Sequence, residues 1–92
     1  DLSPESFTIW MTLARTLLKI DHKERAADVL AYIRQFRPES SDATYLYAET
    51  SMKIGQVDEA VKAFEDFMLR FPTDRRALDA ERLARRLREG SP

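Results

Sequence analysis

The sequence repeats itself with a period of 34 residues, and this period constrains the fold more than any other feature of the 92-residue chain. Leu18-Lys19-Ile20 falls on Met52-Lys53-Ile54, Leu13-Ala14 on Tyr47-Ala48, and Asp21 on Gly55. Ala26 falls on Ala60, Leu30 on Phe64, Ile33 on Phe67 and Pro38 on Pro72. The matches hit residues that pack or end helices and skip most surface positions. A fixed period of this length means stacked supersecondary units, none of which can bury its apolar face alone.

The spacing of apolar residues inside each unit is helical. Phe7, Trp10, Leu13, Ala14, Leu17 and Leu18 form one stripe; Ala26, Ala27, Leu30, Ile33 and Phe36 form the next. A third carries Tyr45, Tyr47, Ala48 and Met52, and a fourth carries Val57, Ala60, Val61, Phe64, Phe67, Met68 and Phe71. A fifth holds Ala77, Ala80, Leu83, Ala84 and Leu87. Ser3-Pro4-Glu5 predicts a helix start, with Ser as cap and Pro in the first turn. Asp21, with Glu24 three residues on, is expected to cap the second helix. Ser40-Ser41-Asp42 and Thr73-Asp74 offer caps for the third and fifth. The second and fourth must stop before Pro38 and Pro72, because the residue preceding proline avoids helical geometry. Gly55 suits a left-handed helix end.

Composition agrees with one small helical domain over residues 1–92. Hydrophobic residues make up 43% of the chain, too many for a disordered segment. A net charge of −1 gives no general pull toward nucleic acid or an anionic membrane. There is no cysteine, which excludes disulfides and thiolate metal sites without naming a compartment. No apolar run is long enough to span a bilayer, and there is no signal peptide. The sequence begins at Asp1 without methionine, which points to a soluble piece of a larger chain, so localisation is not read from it.

The two units resemble the tetratricopeptide repeat family, whose pattern is W-x2-L-G-x2-Y, then A-x3-F, then P. Residues 7–40 show Trp10-x2-Leu13-Ala14-x2-Leu17, Ala26-x3-Leu30 and Pro38. Residues 41–74 show Thr44-x2-Tyr47-Ala48-x2-Ser51, Gly55, Ala60-x3-Phe64 and Pro72. Ala stands for the family's small glycine, and Thr44 for its first aromatic. The resemblance implies an all-α fold of about five helices: antiparallel hairpins stacked in a right-handed superhelix, closed by a capping helix over about 74–89. Ala14 and Ala48 would meet Ala26 and Ala60 where paired helices press together, with Trp10 inside its own hairpin.

The resemblance also implies a role: binding a peptide or helix of a partner protein in a concave groove lined by the first helix of each hairpin. Family groove positions carried onto this chain are Thr8, Met11, Arg15, Leu18 and Lys19, then Asp42, Tyr45, Glu49, Met52 and Lys53. Met11, Tyr45 and Met52 are the expected apolar anchors; Leu18 and Met52 also suit packing between hairpins. Family members that clamp a C-terminal carboxylate use asparagine in the groove, and this chain has none. The alternative role is an assembly module, in which Leu2, Phe7 and Ile9 on the outer side of the first helix meet another repeat or a second copy.

Catalysis finds no constellation. His22 is the sole histidine and falls in a turn, without a nucleophile in its motif. Asp28, Asp58 and Glu59 suit helix starts and polar faces. No phosphate-binding glycine loop, zinc-protease motif or metal-ligand cluster occurs, so neither enzyme activity nor a cofactor is expected. Residues 73–92 hold six arginines against four acids, but Asp79, Glu81 and Glu89 sit within helical pairing distance of Arg82, Arg85 and Arg86. No aromatic residue interleaves them, so a solvated helix is expected rather than a nucleic-acid contact.

Overall fold

A computed structural model of the chain describes residues 2–90; Asp1, Ser91 and Pro92, which the reading of one domain over 1–92 includes, lie outside the described residues. It contains five helices among those residues: α1 (Pro4–Lys19), α2 (Lys23–Phe36), α3 (Ser41–Lys53), α4 (Val57–Arg70) and α5 (Ala77–Arg88). Side-chain chemistry fixes two of the starts. Ser3 Oγ accepts a hydrogen bond from the Ser6 N–H at 3.1 Å, with Pro4 in the first turn, and Ser40 Oγ accepts from the Ala43 N–H at 3.1 Å. Each satisfies a donor that the first helical turn leaves orphaned.

The period also fixes how the first helix of each unit ends. Asp21 and Gly55, 34 positions apart, both adopt left-handed backbone, with φ of 66° and 83°. Behind them the N–H groups of His22 and Gln56 donate to the carbonyls of Leu17 and Ser51 at 2.8 and 2.9 Å. Asp21 therefore closes α1 and does not cap α2. The cap position of α2 is His22, without a side-chain hydrogen bond, and the Asp21 carboxylate pairs with Lys23 at 3.1 Å. The fifth helix also starts later than its sequence suggests. Asp74 Oδ1 accepts from the Arg76 N–H at 2.9 Å, and its carbonyl from the Ala77 N–H at 2.9 Å. Those bonds hold residues 74–76 in a turn, so α5 begins at Ala77.

Consecutive helices pack on one another, α1 on α2 through to α4 on α5. Ala14, Ala26, Ala48 and Ala60 are fully buried, as expected of residues that let paired helices approach. Two core clusters result. One gathers Met11, Ala14, Leu30, Ile33 and Ala43 from α1, α2 and α3; the other gathers Tyr45, Ala48, Ala60, Phe64, Phe67, Ala80 and Ala84 from α3, α4 and α5. Trp10 is not enclosed by its hairpin. It is half-buried, its ring tilted against Tyr32 at 4.9 Å, with Tyr32 in turn 5.0 Å from Phe36. Thr44 takes the same register in the second unit. It is buried, with its hydroxyl donating to the Ser40 carbonyl at 3.0 Å. A crevice of about 260 Å³ adjoins it, bounded by Arg34, Asp66 and Arg70.

Asp66 holds the two units together beside that crevice, accepting from Arg34 of α2 at 3.2 Å and Arg70 of α4 at 2.9 Å. The Arg34 guanidinium also lies 4.8 Å from the centre of the Tyr47 ring. At the far end, Arg82 and Arg85 of α5 occupy the register of Ala48 and Ser51. Those two α3 residues are fully buried, whereas the arginines are exposed and paired with Asp79 and Glu81 at 3.2 Å each.

Two substitutions test this packing. Ala48→Leu inserts bulk where α3 lies against α4 and is expected to cost about 1–3 kcal/mol in urea unfolding. The Ser51 hydroxyl is buried with no hydrogen-bond partner among the described residues, so Ser51→Ala is expected to gain about 1 kcal/mol in the same assay.

Candidate functional site

α1, α3 and the segment leading into α5 bring side chains to one pocket. Arg15 of α1, Asp42, Tyr45, Leu46 and Glu49 of α3, and Arg76 line a space of about 140 Å³. A wider opening continues from it over Asp42, Asp74, Arg75 and Arg76. Four of the residues expected from sequence thus meet: Arg15, Asp42, Tyr45 and Glu49. Thr8, Leu18, Lys19, Met52 and Lys53 are not among the lining side chains. Thr8 is exposed and turns its hydroxyl to the Pro4 carbonyl at 3.1 Å. Lys19 and Lys53 are exposed at the ends of their helices, Leu18 is half-buried, and Met52 is half-buried against the second core cluster.

Two of the three expected apolar anchors are packing residues. Met11 is 3% exposed and belongs to the core that α1 shares with α2 and α3. Tyr45 is 8% exposed, its ring edge-on to Phe64 at 5.7 Å and Phe67 at 5.0 Å. Met11 packs in the cluster that holds Leu30 and Ile33 of α2 and Ala43 of α3, whereas Tyr45 packs on Phe64 and Phe67 of α4 within its own unit. Tyr45 therefore contributes a wall to the pocket rather than a free ring. Its hydroxyl titrates above the ordinary range, because burial penalises the phenolate and the Glu49 charge adds to that penalty. The outer-face residues also divide. Leu2 is 6% exposed, with its carbonyl accepting from Arg37 Nε at 3.1 Å and Nη2 at 2.7 Å. Phe7 is half-buried beneath the same guanidinium, 5.1 Å from its ring centre. Only Ile9 of those three is exposed.

Arg76 is the residue that sequence reasoning missed, and it organises the pocket. Its guanidinium donates to Asp74 through Nε at 3.0 Å and Nη2 at 2.9 Å, and pairs with Asp42 through Nη1 at 3.0 Å. It lies 5.2 Å from the Tyr45 ring centre and 5.3 Å from that of Phe67. The signal for it was present: another step of 34 from Thr8 and Asp42 lands on Arg76. The Asp74 carboxyl is held down at about 2, below its ordinary 3.8, mainly by the hydrogen bonds from the Arg76 side chain and backbone. Arg15 and Glu49, by contrast, have no ion-pair partner among the described residues, so the pocket presents one free cation and one free anion.

The sequence model of a family described as tetratricopeptide repeat matches residues 24–84, more than half of the chain. The chain belongs to the tetratricopeptide repeat family. No curated protein sequence matches it. Tetratricopeptide repeats generally mediate protein–protein interaction and are typically non-catalytic. No helix among the described residues is long and apolar enough to cross a membrane.

The Asp74–Arg76 pair predicts an acid sensitivity. A carboxyl whose folded pKa lies below its unfolded one stabilises the fold above the ordinary carboxylate range. That contribution is lost as pH falls from about 4 toward about 2. Asp74→Asn is expected to be less stable than the parent at neutral pH, with the gap closing on acidification; urea midpoints at a series of pH values measure it.

Proposed function

We propose that this tetratricopeptide repeat chain is a non-catalytic scaffold that binds a peptide or helix of another protein along its concave side. The observation that carries this reading is the convergence of α1, α3 and the turn before α5 on one pocket holding Arg15 and Glu49, neither of which has an ion-pair partner among the described residues. An unpaired charge keeps its hydrogen-bonding capacity for a partner, whereas the charges of Arg76 and Asp42 are already used to hold the pocket's shape. Opposite free charges across the groove suit a segment that carries a complementary acid and base in a fixed order. Such an arrangement contributes to register and partner choice more than to raw affinity. The apolar share of the contact falls to Leu46 and the rim of Tyr45, together with half-buried Met52 further along α3. Asparagine is absent from the chain, so a clamp on a C-terminal carboxylate is not part of this proposal.

Met11 and Tyr45 are poor probes of this site, because truncating buried side chains of their size costs about 2–5 kcal/mol of stability. The informative substitutions are Arg15→Glu and Glu49→Lys, whose side chains leave the core untouched. Peptides selected from a display library on the parent chain supply the ligand, with affinity read by fluorescence anisotropy. Each reversal is expected to weaken binding about tenfold, a loss of roughly 1.4 kcal/mol, with helicity unchanged. Selected peptides that bind both variants as tightly as the parent would place the binding surface elsewhere.

A further inference from the structure

One register is filled with rings in the first unit and with short or charged side chains in the second. Trp10, Tyr32 and Phe36 stack in sequence, with ring centres 4.9 and 5.0 Å apart. A step of 34 from these three lands on Thr44, Asp66 and Arg70. With no ring to fill it, this part of the second unit keeps the crevice of about 260 Å³ beside Thr44. That is several times the ~30 Å³ share of one liquid water. Arg34 reaches the crevice from α2 of the preceding unit. Its guanidinium rests 4.8 Å from the centre of the Tyr47 ring, a contact that restrains it.

The crevice carries more positive than negative charge. Arg34 and Arg70 donate to the two oxygens of a single carboxylate, Asp66 Oδ2 at 3.2 Å and Oδ1 at 2.9 Å. One arginine would suffice to pair Asp66; the second leaves an excess cation. Glu39, beside the lining residue Pro38, is engaged by Arg37 at 3.6 Å. The Arg34 and Asp66 side chains are only 25% and 31% exposed, so water and salt screen them less than they screen surface charges. Hydrogen-bond donors are left over as well. Arg34 Nε and Nη1 and Arg70 Nη2 have no acceptor among the described residues, and Gln35 adds an amide to the lining.

We infer that this crevice is a binding site for a tetrahedral oxyanion of the phosphate type, held between Arg34 and Arg70. Guanidinium forks match such oxygens in geometry and charge. Asp66 has two opposed effects: it fixes both forks before the ligand arrives, and its own charge weakens the attraction. The site shares no residue with the pocket that holds Arg15 and Glu49, so it stands apart from the proposed partner-binding surface. Free phosphate and a phosphomonoester on a partner's side chain present the same chemistry.

Titration with inorganic phosphate, followed by the NMR signals of the backbone and arginine Nε–H groups, tests the site at constant ionic strength set by chloride. Saturable shifts at Arg34, Arg70 and Thr44 are expected, with a dissociation constant of about 1–10 mM. Arg70→Gln, a substitution on the crevice rim, is expected to weaken binding about tenfold. Asp66→Asn is expected to strengthen it about tenfold while lowering the melting temperature, because a carboxylate that only ties the units together would lose stability without gaining ligand. A phosphoserine peptide that binds more tightly than inorganic phosphate assigns the site to a modified partner; equal affinity assigns it to the free ion. Shifts that do not saturate by about 50 mM phosphate, well past that range, overturn the inference. So does chloride reproducing the shifts, or Arg70→Gln binding phosphate as the parent does.

Discussion

Close contact between paired helices, set by alanine, is the constraint from which the rest of this structure follows. Ala14, Ala26, Ala48 and Ala60 have no side chain to spare beyond a methyl group, and all four are fully buried. Larger residues at these positions would push the helices apart and leave Leu30, Ile33, Phe64 and Phe67 without the dense surroundings that make their burial favourable. Because the helices lie so close, each hairpin is thin, and a thin hairpin cannot cover both of its faces. Stacking is then obligatory.

The helix pattern was legible in the sequence because the period and the prolines report on backbone requirements, which neighbouring units cannot override. Pro38 and Pro72 ended α2 and α4 within two residues, and the alignment of Asp21 with Gly55 anticipated their shared left-handed geometry although the capping role expected of Asp21 was wrong. The start of α5 was less legible, since an aspartate ahead of a helix can cap it directly or hold a preceding turn, and only the Asp74–Arg76 hydrogen bonds decide which.

Burial at the groove was the hardest property to read. Met11 and Tyr45 were expected to face a groove, and both are held in the core instead, Met11 with Leu30 and Ile33 of α2 and Tyr45 against Phe64 and Phe67 of α4. No pattern within one helix records how far its neighbour overlaps it. The same limit applied to Leu2 and Phe7, which a wheel of α1 places outside but Arg37, 35 residues away from Leu2, draws under its guanidinium. Arg76 was missed for the opposite reason: α5 was treated as a terminator, although the repeat continues into it with the same step.

Arg76 also makes the pocket beside Tyr45 and the docking of α5 parts of one equilibrium. Its guanidinium is shared between Asp42, on the pocket wall, and Asp74, at the root of α5. A partner cation that competes for Asp42 would take it from Arg76 and loosen the last helix. By thermodynamic reciprocity, whatever loosens the last helix would release Asp42 and favour that same partner to an equal degree. A partner that leaves the Asp42–Arg76 pair intact would feel no such linkage. The terminal helix is in this sense a gauge: its fraying would report whether a bound partner had drawn Asp42 away from Arg76.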